Sequence, residues 1–269
     1  MKTIAFITTA RSDFGAQADL IYELASREDF SVAVMIAGTH HLDLGGRSSD
    51  EVYRSLENRR VRLLEIGAQA LSPSPSDQSD LALKGSVISE MVTAGLEIFG
   101  SLELDGVVFM GDRWELWGLV FPAFLAGIPL IHLSGGESTQ GAIDDTIRHS
   151  LTKLSSLHLV AAREYGRTVS SMGEEDWRIS VCGEPGLDGL LSFRAGDRQE
   201  FLEGIGLDPV QPMVFLNFYP STRESLEQLR IQLGVLRDVF RSLEGVSILM
   251  TAPVSEGGSR EISSWADQM

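Results

Sequence analysis

Seven short apolar runs dominate the first 184 residues and leave few folds open to them. They are Thr3–Thr9, Ser31–Ala37, Val61–Ile66, Asp105–Met110, Ile128–Leu133, Leu157–Ala162 and Ile179–Cys182. Each is short enough for a strand and too short for a core helix, and helical patterns lie between them. Strands alternating with helices specify a parallel sheet covered on both sides. Residues 1–184 therefore read as one complete doubly wound α/β domain. A second α/β unit follows over residues 185–269. It has a strand at Met213–Phe218, a helix at Arg223–Leu243, a strand at Val246–Thr251 and a last short helix. Two strands and two helices are too few to close such a layer, so the second domain reads as incomplete. Ala68–Asp80, with Pro73, Pro75 and four serines, reads as a polar linker loop.

The richest chemistry lies in one strand–loop–helix unit, His132 to Lys153. The strand ends in His132, and the loop carries Gly135, Gly136 and Gly141. A helix with Ile143, Ile147, Leu151 and Leu154 on one side follows, at helical spacing. Glu137, Asp144 and Asp145 fall in or beside the loop, with Arg148 and His149 one turn on. At i,i+4, Asp144 faces Arg148 and Asp145 faces His149. Open α/β sheets place their ligands at the carboxyl ends of strands, which is where this cluster stands. A first helical turn also favours acids through the helix dipole, so either aspartate alone admits a purely structural account.

Three other strand ends carry candidates. Arg11, after the first strand, lies where a helix N-terminus helps to bind an anion. The loop is not a dinucleotide fingerprint, since it lacks Gly-x-Gly-x-x-Gly. His40 and His41 follow the second strand, in Gly38–Gly46. Adjacent residues rarely point at one ion and no third ligand is near, so they read as site lining rather than as a metal centre. Gly111-Asp112-Arg113-Trp114-Glu115 closes the fourth strand, and a helix begins there. Asp112 suits either an N-cap or a site.

The formal net charge of -16 argues against a nucleic-acid partner, whose binding rests on neutralised phosphates. An anionic substrate would need a local cationic pocket. Cys182 is the only cysteine; it excludes an intramolecular disulfide and reads as a small buried residue. The N-terminal apolar run meets Arg11 and Asp13 at once, unlike a signal peptide. Leu116–Leu133 is broken by Gly118, Pro122, Gly127 and Pro129, unlike a membrane span. A cytoplasmic location with no membrane partner is the expectation.

His132…Gly135-Gly136-Glu137…Gly141-Ala142-Ile143-Asp144-Asp145…Arg148-His149…Leu151-Thr152-Lys153-Leu154-Ser155 closely resembles the hydrolysing UDP-N-acetylglucosamine 2-epimerases, which supply N-acetylmannosamine or a diamino relative for sialic-acid-type sugars. Arg11-Ser12-Asp13-Phe14-Gly15, Gly38-Thr39-His40-His41-Leu42, Gly111-Asp112-Arg113-x-Glu115 and Gly183-Glu184-Pro185-Gly186-Leu187-Asp188 match further family motifs. The resemblance implies two Rossmann-like domains as in GT-B sugar-nucleotide enzymes, a UDP-sugar substrate and a homo-oligomer. It implies elimination of UDP to a glycal, then addition of water. No metal or redox cofactor is required for that route. Asp112, Glu137, Asp144 and Asp145 are implied as the acids. Arg11, His40, Arg113, His132, Arg148 and Tyr219 are implied to bind substrate or hold the carboxylates.

Two features depart from the family. Members carry His-Pro-Val-Thr after the first strand of the second domain, whereas this chain has Phe218-Tyr219-Pro220-Ser221-Thr222. A tyrosine, with a pKa of about 10, replaces that histidine poorly at neutral pH. The family's Gly-Asn-Ser-Ser loop for the diphosphate does not occur, and its Pro-Asn-x-Asp-x-Gly motif survives only as Pro253-Val254-Ser255-Glu256-Gly257-Gly258. Three readings follow: an epimerase of this family, a glycosyltransferase-like enzyme on the same fold, and a sugar-nucleotide-binding or assembly protein without turnover. The central acid cluster argues against the second.

Overall fold

The computed structural model describes residues 1–41, 48–67, 80–191, 193–221, 224–251 and 258–268. Leu42–Gly46, most of the polar loop 68–80 and residues 252–257 of the second-domain motif lie outside the described residues. Two compact units divide the chain. One comprises Met1–Thr139 with Asp144–Ser192, the other Gln140–Ile143 with Phe193–Met269.

The first unit is a seven-stranded sheet, all parallel. Its strands are β1 (Lys2–Thr8), β2 (Phe30–Ile36), β3 (Val61–Glu65), β4 (Gly106–Met110), β5 (Leu130–Leu133), β6 (Leu157–Val160) and β7 (Ile179–Val181), in the order β3-β2-β1-β4-β5-β6-β7. Side chains alternate across β1: Ala5 and Ile7 enter one core, and Phe6 the other. The first core is roofed by α3 (Asp80–Ser101), α4 (Trp117–Leu125) and α5 (Asp144–Leu154), through Met91, Leu119 and Leu151. The second is roofed by α1 (Arg11–Ser26) and α2 (Ser48–Leu56), through Phe14, Ile21 and Val52. α6 (Arg163–Ser171) completes the unit. The strand order reverses between β1 and β4. That switch opens a crevice at the carboxyl ends of the strands.

The second unit has its own small core of Leu229, Leu233, Ile262 and Trp265. It comprises α7 (Arg198–Gly204), a parallel pair β8 (Met213–Leu216) and β9 (Ser247–Met250), α8 (Leu226–Arg241) and α9 (Ser259–Ala266).

Several local expectations need correction. The helix of the central stretch starts at Asp144, so Ile143 precedes it and is exposed. α8 starts at Leu226 rather than Arg223, because Ser225 and Gln228 form a reciprocal capping box. α7 was not expected. Its signal is Asp197, whose side chain accepts from the Glu200 N–H at 3.0 Å. Beyond Glu184 the chain makes a 3-10 turn, Pro185–Leu191. A Cβ at Gly186 would stand 3.0 Å from the Ala16 Cα, so this segment packs on α1 inside the first unit. The compact units part after Ser192, not after Glu184. Cys182, expected to be buried, is exposed.

Candidate active site

Three acids and one arginine meet at the carboxyl ends of β4 and β5. Asp112 follows β4 directly, and Glu137 stands in the loop after β5. Arg148, on the second turn of α5, is buried and reaches back to both. Its Nη2 pairs with Asp112 Oδ2 and lies 4.0 Å from Glu137 Oε2; its Nη1 donates to Thr139 Oγ1 at 3.2 Å. Burial pushes the Asp112 carboxyl above its ordinary pKa, Arg148 pulls against this, and the Asp144 charge adds to it. Burial likewise raises Glu137, Arg148 opposes, and the charges of Glu184 and Asp112 add to the rise. Asp112, Glu137 and Asp144 thus form one electrostatic cluster, in which Arg148 pairs with Asp112 and approaches Glu137, and the Arg113 charge also acts on Asp112. Two carboxyls with raised affinity for protons, Asp112 and Glu137, sharing one site, are suited to proton transfer.

The loop geometry is over-determined. Ser134 has φ +58°, a left-handed conformation rare for a residue with a side chain. Gly136 has φ +81°, and a Cβ there would stand 2.3 Å from the Tyr165 carbonyl oxygen. Only glycine fits, so the turn that aims Glu137 rests on the main chain of α6.

Asp145 turns elsewhere. Its Oδ1 accepts from the Thr139 N–H at 2.9 Å, which lowers its pKa, and its Oδ2 lies 3.8 Å from His149 Nε2. It braces the loop, and the Arg148 charge lowers its pKa as well.

His132 and His40 are wholly buried and do not line the crevice as expected. His132 stacks on Phe109 at 4.7 Å between ring centroids. Its Nε2 must donate to the Gly111 carbonyl at 2.8 Å, leaving Nδ1 as an acceptor facing Thr152 Oγ1 at 3.1 Å. It ties the end of β4 to α5. His40 Nε2 lies 2.8 Å from Thr8 Oγ1, and its Nδ1 lies 2.8 Å from Ser48 Oγ. The Thr8 hydroxyl gives its one proton to Asp13 at 2.5 Å. It therefore accepts from His40, which fixes the Nε2–H tautomer. Asp13 also accepts from Thr9 N, Thr9 Oγ1 and Ala10 N at 2.8, 2.7 and 3.1 Å. Four donors thus satisfy this buried carboxyl, and one of them is the N–H of Ala10, the N-cap of α1.

Burial holds the His132 pKa down to about 3 and that of His40 to about 4. An unfolded histidine titrates near about 6.5. Between those values the unfolded chain binds protons that the folded chain refuses, so these residues make stability fall as the pH drops below 6.5. Urea unfolding between pH 7 and 4.5 is expected to show that fall, with a smaller slope in His132→Gln. Equal slopes in the two proteins would refute the assignment.

Arg113 holds the buried Glu115 at 2.6 Å, a different task from the expected orientation of the site acids, although its charge also lowers the Asp112 pKa. Arg11 is exposed on the first turn of α1 and pairs with Glu51 at 2.8 Å. Tyr219 belongs to the second unit and is 52% exposed. Sequence reasoning passed over Glu184, whose Oε2 accepts from Ser134 Oγ at 2.8 Å. Its signal was its place just after β7, again a strand's carboxyl end.

A doubly wound parallel sheet with an acid–arginine cluster at its switch-point face is an α/β ligand-binding arrangement, and the fold is GT-B-like. The chain belongs to the UDP-N-acetylglucosamine 2-epimerase family, whose model matches residues 22–269. It is 30% identical over 264 residues to the UDP-N-acetylglucosamine 2-epimerase of Neisseria meningitidis, covering 97% of this chain and 65% of that one. It is 27% identical over 232 residues to the hydrolyzing UDP-N,N'-diacetylbacillosamine 2-epimerase of Legionella pneumophila, covering 86% and 59%. The chain thus spans less than two-thirds of the length of either relative. The crystal structure of the Neisseria meningitidis enzyme bound to UDP-GlcNAc superposes with a TM-score of 0.77 at 14% identity, over 99% of this chain and 70% of that one. Among the described residues, no helix is long and apolar enough to cross a membrane.

Proposed function

We propose that the chain carries the sugar-side machinery of a hydrolysing UDP-N-acetylglucosamine 2-epimerase, acting on UDP-N-acetylglucosamine or a 2,4-diacetamido analogue. The C1–O bond breaks with its electron pair going to UDP, and the C2 proton leaves to a carboxylate. Water then adds to C1 of the glycal, and a proton returns to C2 from the opposite face. The products are free N-acetylmannosamine, or its analogue, and UDP. A sugar C2 proton is very weakly acidic, so C–O cleavage leads, through an oxocarbenium-like state that fixed carboxylates stabilise. The observation that carries the reading is the meeting of Asp112 and Glu137 at Arg148, with the Asp144 charge acting on Asp112.

Asp112, Glu137 and Asp144 take the proton-handling and charge-stabilising roles, and Arg148 holds them. Arg11 meets the diphosphate, exchanging an exposed ion pair worth about 0–1 kcal/mol for phosphate. Tyr219 and the second unit serve the UDP side. The named activity of the Legionella relative supports the hydrolytic outcome. A homo-oligomer fits the exposed Phe121, Phe124 and Leu125 on α4, beside Leu96 on α3.

Turnover in D₂O and heavy-oxygen water tests the reaction. The expected product carries one deuterium at C2 and solvent oxygen at C1, with UDP released. A product that keeps its nucleotide, or no UDP release at all, would count against it. Binding of UDP-N-acetylglucosamine without UDP release would instead identify a sugar-nucleotide-binding protein of the same fold.

A further inference from the structure

Glu184 is an acid at the same sheet edge that the proposed reaction leaves without a task. Its Oε2 is held by the Ser134 hydroxyl at 2.8 Å. Its Oε1 is buried and has no hydrogen-bond partner among the described residues. An unsatisfied buried acceptor is unfavourable. Ser134 adds a second unfavourable feature, its φ of +58°. Two costs are kept at one contact, and that contact adjoins Glu137. Ser134 begins the loop that carries Glu137, and the Glu184 charge acts directly on Glu137.

The charged groups that bear on Glu137 come from three elements. Arg148 approaches from α5 at 4.0 Å, Asp112 from the end of β4, and Glu184 from the end of β7. Without Glu184 the nearby cation would weigh more heavily. Like charges in one site cannot both ionise freely, so a fixed anion behind Glu137 makes it keep its proton to higher pH.

We propose that Glu184, anchored through Ser134, is a positioning residue that governs how Glu137 takes up and gives back its proton, without touching the sugar. This rests on the reading of Glu137 as a proton-handling acid. Carbon-13 NMR of glutamate carboxyls, with Glu137 assigned through E137Q, reads the effect with or without turnover. The Glu137 midpoint is expected to fall by roughly half a pH unit or more in E184Q, and to be largely restored in E184D. Where the wild type releases UDP, the kcat/KM limb belonging to Glu137 moves to lower pH in E184Q while KM on the plateau stays unchanged. An unchanged Glu137 midpoint in folded E184Q overturns the proposal. Where E184Q does not fold, S134G carries the test, because it removes the anchoring hydroxyl and suits the left-handed backbone. The same downward shift supports the proposal, and its absence overturns it. A wild-type chain that releases no UDP defeats the proposed reaction, and the NMR titration still decides the role of Glu184.

Discussion

Glu137→Gln is expected to lower kcat by roughly 10²–10⁴ while leaving the thermal midpoint unchanged. The amide keeps the shape of the side chain and cannot pass a proton. Glu137 is only partly buried, and its approach to Arg148 is a long 4.0 Å, so losing its charge costs the fold little. Asp112→Asn is a less clean probe. Asp112 is the direct partner of Arg148, and the asparagine leaves that guanidinium with a neutral neighbour. The two substitutions together are expected to lose much less than the product of their separate effects, since both act on one reaction. Steady-state kinetics on folded variants checks this. Wild-type rates in Glu137→Gln would remove it from the chemistry.

Arg148→Ala is expected to damage stability and turnover together. Breaking a buried pair by deleting one partner typically costs about 3–5 kcal/mol, and the loss here lies toward the low end because Asp112 is only part-buried and keeps the pull of Arg113. The pH dependence gives the cause away. Arg148 holds the Asp112 pKa down against burial, so its removal lets that pKa rise. The variant then regains stability as the pH falls and Asp112 protonates. Arg148→Lys keeps the charge and loses the planar fork that serves Asp112 and Thr139 at once. Its kcat/KM is expected to fall on the order of 10²-fold through misplaced acids, with most of the stability retained. Urea unfolding across pH and steady-state kinetics measure the two effects. An alanine variant whose stability does not depend on pH in this way would refute the pairing as the cause.

The sheet was legible because its inner strands are largely buried on both faces and therefore read as apolar runs. Strand ends were legible for a related reason: a parallel sheet must expose polar loops there, and Asp112, Glu137 and Asp144 stood in them. Depth was not legible. His132 and His40 occupy strand-end positions like those of the acids, yet both face inward. Their partners, the Gly111 carbonyl and Thr152 for one and Thr8 and Ser48 for the other, come from distant segments. Arg113 stands beside a site aspartate in sequence, but the buried Glu115 two residues on holds it. Asp144 and Asp145 look alike in sequence and differ by one helical step, about 100° of rotation. That step brings the charge of one to bear on Asp112 and sends the carboxyl of the other to the Thr139 amide. Glu184 stayed hidden because its partner, Ser134, lies on another strand end. Which strand ends are neighbours is a property of sheet order, not of local pattern.

Gly136 is seated on the carbonyl of residue 165 rather than on that residue's side chain. For anyone redesigning sugar preference, this separates two kinds of position. Randomising the Tyr165 side chain reshapes the surroundings while the acid keeps its place, provided that Val169, whose side chain also bounds Gly136, is left alone. Randomising Gly136 shifts the acid itself, so a library that includes it mixes altered selectivity with a broken catalyst.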